Sequence, residues 1–150
     1  MNYVITICTV TGDEVEVAAF AAKHVTPYTD APNQAYFNFR TILPNPAGPD
    51  AWGGATSSGH DYALRAREHG KMAFQFLTEW AFPFPIFRQL ATLYPHLVFD
   101  VAVYEECYEG ECTGAGEFNG KNDFHAVDPT PALEARAKAH AAQKAHAAVK

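Results

Sequence analysis

The stretch from Asp61 to Trp80 constrains the fold most. Residues 61–67 (DYALRAR) alternate, with Tyr62, Leu64 and Ala66 on one side. MAFQFLTEW alternates more cleanly still, placing Met72, Phe74, Phe76, Thr78 and Trp80 together. With the turn EHGK between them, the two runs predict an antiparallel hairpin that rests one apolar face on a core. On this reading Trp80 shares the core face with Phe74 and Phe76. Trp52, in a Pro/Gly-rich loop, suits a core position or an exposed anchor equally well.

The elements around the hairpin complete a pattern. YVITICTV (3–10) is β-branched and apolar on both faces, as a central strand should be. Gly12 ends it, and Asp13 with Glu16 resembles a capping box opening a helix to about His24. Residues 26–59 form a long insertion rich in Pro, Gly, Asn and Asp, in which only YFNFRTIL (36–43) reads as ordered, a short strand or a packed loop. After the hairpin, Pro83 and Pro85 suit a helix start, and Phe87, Leu90, Ala91 and Tyr94 make a buried helical stripe. Pro95 stops it. The strand LVFDVAVYEE follows, then another from about Glu111 to Phe118.

Strand, helix, insertion, strand, strand, helix, strand predicts an α+β fold. The expected architecture is a ferredoxin-like split βαβ sandwich, an antiparallel sheet with two helices on one face and an extra C-terminal hairpin strand. At 150 residues and 48% hydrophobic the chain suits one such domain, placed at 1–125. Residues 126–150 read as a Pro-initiated, Ala-rich basic helical tail with little apolar surface to bury.

Charge divides the same way. Residues 132–150 hold Arg136, Lys138, Lys144 and Lys150 against Glu134, a net of +3, which leaves −9 for the rest of a chain whose net charge is −6. An acidic body repels phosphate backbones and favours a protein partner with a basic surface. HGKMAFQFL distantly resembles an RNA-binding sheet motif, but Lys71 and Met72 stand where a glycine and an aromatic belong, so Phe74 and Phe76 read as core. The N-terminus lacks the basic flank and cleavage site of a signal peptide, and no apolar run could span a bilayer. Three cysteines, an odd number, fit a reducing compartment. A cytoplasmic location follows as the expectation.

Few residues offer chemistry. Ser57, Ser58, His60 and Asp61 are hydrolase ingredients but stand too close in sequence to converge as a triad, and no nucleophile elbow or phosphate loop occurs. The histidines are scattered, and His140 and His146 miss the i, i+4 spacing of a helical metal pair. Within YEECYEGECTG (104–114), a turn at Glu109-Gly110 would set Cys107 opposite Cys112, near enough for a weak disulfide but two ligands short of a zinc site. The expectation is a protein without enzymatic activity, metal or cofactor, whose partner contact lies on an acidic strip of Glu105, Glu106, Glu109, Glu111 and Glu117, with Trp52 as a possible anchor. The alternative is nucleic-acid binding through Arg136, Lys138, Lys144 and Lys150 on the basic tail.

Trp52-Gly53, the strand end Phe76-x-Thr78-x-Trp80 with its following prolines, and Tyr94-Pro95-x-Leu97-x-Phe99…Tyr104-x-Glu106 together carry a resemblance. The chain resembles the YubB-type ferredoxin-like domain family of plasmid- and phage-encoded proteins over about residues 1–118, most closely from Ala73 to Gly110. It departs at WGGATSSGHDY, where the family has a Thr-Lys-Trp-Asp-like run. The resemblance implies a mobile-element accessory protein that binds a host protein or complex, for instance as an anti-CRISPR-like inhibitor of a defence system.

Overall fold

The computed structural model describes residues 2–44, 52–53, 56–105 and 112–121. Strand β1 (Tyr3–Thr11) leads through Gly12 into helix α1 (Glu14–His24). Asp13 caps that helix with its carboxylate, accepting from the Val15 and Glu16 backbone N–H groups at 3.1 and 3.3 Å. Two short strands, β2 (Val25–Pro27) and β3 (Ala35–Asn38), precede the long hairpin of β4 (Ser58–Glu68) and β5 (Lys71–Glu79). Helix α2 (Phe84–Leu93), β6 (Val98–Glu105) and β7 (Cys112–Phe118) complete the described elements.

All seven strands join one sheet in the order β2-β3-β4-β5-β1-β6-β7, and every neighbouring pair is antiparallel. This corrects the expected architecture. The protein is a strand-dominated α+β molecule built on a seven-stranded sheet, and it is not the compact two-helix ferredoxin-like sandwich. Much of the difference lies in the insertion, which supplies β2 and β3 and widens the sheet beyond β4. Strands of three and four residues are too short to show a readable alternation. The tail beyond Lys121, with its expected helix and the boundary at 125, lies outside the described residues.

One face of the sheet carries the core. Val4, Thr6, Cys8 and Val10 of β1 are buried there beside Met72, Phe74, Phe76 and Thr78 of β5. Phe20 of α1 packs against Phe74 and Phe99, with ring centroids 6.1 and 5.5 Å apart. Phe87 of α2 stacks on Phe76 at 6.2 Å and meets Phe118 at 5.5 Å. Phe37 of β3 lies between these groups, 5.1 Å from both Phe74 and Phe76. Such interlocking rings add to the burial energy of each side chain. Gly59 makes the close approach possible: a Cβ there would stand 2.6–2.9 Å from Phe76. With Phe74 and Phe76 buried at 0% and 1% exposure, neither is available to stack on a base.

Candidate partner-binding surface

The structure places Trp80, expected in the core, at the surface, and Trp52, for which core and anchor were both open, in the core. Trp52 is 9% exposed within the core cluster, and its Nε1–H donates to the Leu43 carbonyl at 3.1 Å. Trp80 is 60% exposed. The alternation of β5 holds through Thr78, whose hydroxyl donates to the Ala81 carbonyl at 2.8 Å. Trp80 then takes a left-handed backbone, φ +74, while its own N–H donates to the Asn2 carbonyl at 2.7 Å. That bend breaks the period of two and turns the indole outward. A bulky residue in this region costs of order 1–3 kcal/mol, and such strain clusters at functional sites.

Strand register shows what surrounds it. Tyr3 pairs with Glu79, and Val4 lies between Thr78 and Glu105. Trp80, Glu79, Tyr3 (36% exposed) and Glu105 therefore mark the same end of the sheet. Beside them a groove of about 260 Å³ opens on the helix face, lined by Phe82, Phe84, Val103, Glu105, Thr113 and Gly114 among others. Its floor is low because β7 offers glycines there. Nothing lies within 4 Å of a Cβ built at Gly114. Arg88 holds its guanidinium over Phe84, 4.7 Å from the ring centroid.

Of the acidic strip, the structure places Glu105 and Glu117 and leaves Glu106, Glu109 and Glu111 outside the described residues, as it does Arg136, Lys138, Lys144 and Lys150. Glu105 lines the groove. Glu117 pairs in register with Asp100 on the opposite face and accepts from the Asn119 side chain at 2.9 Å. The two are not brought together. Cys112 stands opposite Tyr104, and Cys107, its expected partner, lies outside the described residues. Among the described residues no His, Cys, Asp and Glu group could hold a metal ion.

Two polar clusters stand elsewhere. His24 is buried, with Nδ1 2.7 Å from Thr41 Oγ1 and Nε2 2.6 Å from Tyr94 Oη. Thr41 spends its own proton on the Asn38 carbonyl at 2.8 Å, so its oxygen must accept from His24 Nδ1–H. Nε2 then carries the lone pair and accepts from the Tyr94 hydroxyl. Burial lowers the His24 pKa to about 4, with the Lys23 charge adding to the effect. Burial, and then Glu16, raises that of Tyr94. This chain ties α1, the turn at Phe39–Thr41 and the end of α2 together. At the far end of the sheet, Glu14 accepts from the Gly70 N–H and pairs with Arg67 at 2.9 Å. The Gly70 hydrogen bond is the main cause of its lowered pKa, against the raising effect of desolvation.

No family model, curated protein or solved structure matches this chain. Among the described residues no helix is long and apolar enough to cross a membrane.

Proposed function

We propose that the protein acts by binding a protein partner, and that the contact is the sheet end carrying Trp80, Glu79, Tyr3 and Glu105. The supporting observation is Trp80 itself, an aromatic residue held outward by strained backbone at a sheet end that carries Glu79 on one face and Glu105, with the apolar groove, on the other. Exposed tryptophans anchor interfaces, and an indole at a sheet end with a carboxylate on each face suits arginine or lysine side chains. The partner is then a protein with a basic surface, which also fits the acidic balance of the body. The finer reading, an accessory protein of a phage or plasmid that inhibits a host defence complex, rests on the family resemblance alone.

Replacing Trp80 by a photo-crosslinking phenylalanine analogue tests the contact in host cells. A discrete crosslinked protein that disappears on adding Glu79→Lys and Glu105→Lys, while the thermal melt is retained, is the expected result. Crosslinking that survives both charge reversals would refute the assignment.

A further inference from the structure

A second concavity, lined by none of the residues proposed for partner binding, has its own chemistry. Strand β3 pairs with β4 only at Ser58 and Gly59, although β4 continues to Glu68. Beyond Gly59 the outer edge of β4 faces the connection between β2 and β3. That connection is held in shape by backbone bonds from Tyr28 N–H to the Gln34 carbonyl at 3.0 Å and from Gln34 N–H to the Ala31 carbonyl at 2.9 Å. Between loop and strand lies a groove of about 800 Å³, lined by Tyr28, Asp30, Asn33, Gln34, Asp61 and Tyr62 among others. It is within the size range of small-molecule sites. A smaller concavity of about 370 Å³, with Tyr36 and His60 in its wall, shares Tyr28 and Asp30 with it, so the two form one trough.

The strand is shaped around this trough. A register irregularity falls between His60 and Ala63, and Asp61 takes φ +48. A bulge of this kind re-aims the side chains on either side of it. The large groove is lined by two carboxylates, two phenols and two amides, and by no Lys, Arg or His. The nearest cations on β4 are engaged elsewhere, Arg65 with Gln75 at 3.3 Å and Arg67 with Glu14 at 2.9 Å. Among the described residues, neither the Asp30 nor the Asp61 carboxylate has a hydrogen-bond or ion-pair partner. An anion would meet uncompensated repulsion here. A cation would gain two carboxylates, and the tyrosine rings would cover whatever apolar stem it carries. Tyr28 and Tyr36 stand 5.0 Å apart between the two parts of the trough, which extends that aromatic wall.

We infer that the trough between the β2–β3 loop and β4 binds an alkylammonium group, with Asp30 and Asp61 taking the charge and Tyr28 and Tyr62 flanking the carbon chain. A free polyamine and a lysine side chain of a peptide present the same chemistry. This site is independent of the Trp80 surface.

Isothermal titration with putrescine, spermidine and a neutral-ended Gly-Lys-Gly peptide distinguishes the sources, with 1,5-pentanediol as the uncharged control. Saturable binding of the free amines but not of the peptide assigns a small-molecule site. The converse assigns a lysine side chain, and either supports the inference. In Asp30→Asn and Asp61→Asn the affinity should fall about tenfold each, with the circular-dichroism melt retained because both residues are exposed. Binding should also weaken with added salt. Absence of binding by amines and peptide alike would overturn the inference, as would equal binding of the diol or unchanged affinity in the double variant. Crosslinking at position 80 should be unaffected by either aspartate substitution, so failure of one site is read separately from failure of the other.

Discussion

Replacing His24 by glutamine should remove a large part of the protein's sensitivity to mild acid. In the folded chain burial lowers the His24 pKa from 6.5 to about 4. The unfolded chain therefore binds the proton more readily throughout the interval between those values. The sign follows directly. Folded stability is intact above the unfolded pKa, declines as the pH falls below 6.5, and stops declining near 4, where the folded form protonates as well. The full difference corresponds to about 3 kcal/mol, of which about 2 kcal/mol is lost between pH 7 and pH 5. For a chain of this length that amounts to a fall in Tm of roughly 6 °C. Lys23 lies beside the ring and Glu16 near Tyr94, so the local charges are few and known. Thermal melts of the wild type and His24→Gln at both pH values give the comparison. Glutamine is less stable at pH 7 because it fits the two hydrogen bonds poorly, but it should lose much less between pH 7 and pH 5. Imidazole nitrogen NMR adds a direct reading, with a protonated Nδ1, a bare Nε2 and no titration until about pH 4. An equal acid slope in the two proteins, or a His24 titration near 6.5, would refute the reasoning.

Three further outcomes follow from the packing. Thr6 is fully buried and its hydroxyl lacks a hydrogen-bond partner, so Thr6→Val should stabilise by about 1 kcal/mol in urea denaturation. Gly59→Ala forces a Cβ into Phe76 and should cost about 1–3 kcal/mol, whereas Gly114→Ala, built into open space, should change the midpoint by less than about 0.5 kcal/mol. Trp52→Ala should cost about 3 kcal/mol and remove the blue-shifted fluorescence, while Trp80→Gly, which relieves the left-handed backbone, should leave the melt unchanged or raised and remove the iodide-quenchable emission.

Elements with a long period were legible in the sequence. The β5 alternation from Met72 to Thr78, the Asp13 cap and the stripe Phe87, Leu90, Ala91 stand where pattern and helical spacing put them. Strand β4 pairs with β5 as expected, but two register irregularities leave Leu64 and Ala66 exposed and not on the core. What escaped was set by tertiary pairing. The hydrogen bonds of β2 and β3 are made to each other and to two residues of β4, contacts that no local pattern announces. The outward turn of Trp80 depends on the Asn2 carbonyl, distant in sequence. Its positive φ has no residue signature, since tryptophan is among the least suited side chains for that conformation. The acidic strip was drawn from residues adjacent in the chain, and strand parity then put Glu105 and Glu117 on different faces. The register of β6 against β7 was inferred from a glycine turn, and the ladder from Phe99–Phe118 to Val103–Gly114 already departs from it. His24 resembled any lone histidine until α1 and α2 were brought together around it.

The two ends of the strand order are unlike. One is β2, three residues long and closing on Pro27, which offers no N–H to a neighbour. The other is β7, seven residues long, with no strand outside it among the described residues. Along the β2 side the only other unpaired stretch among the described residues is β4 beyond Gly59, which the loop between β2 and β3 faces. If copies of this protein associate through their β7 borders, the contact is two-fold and uses the same edge of both copies, which gives a closed pair instead of a fibre.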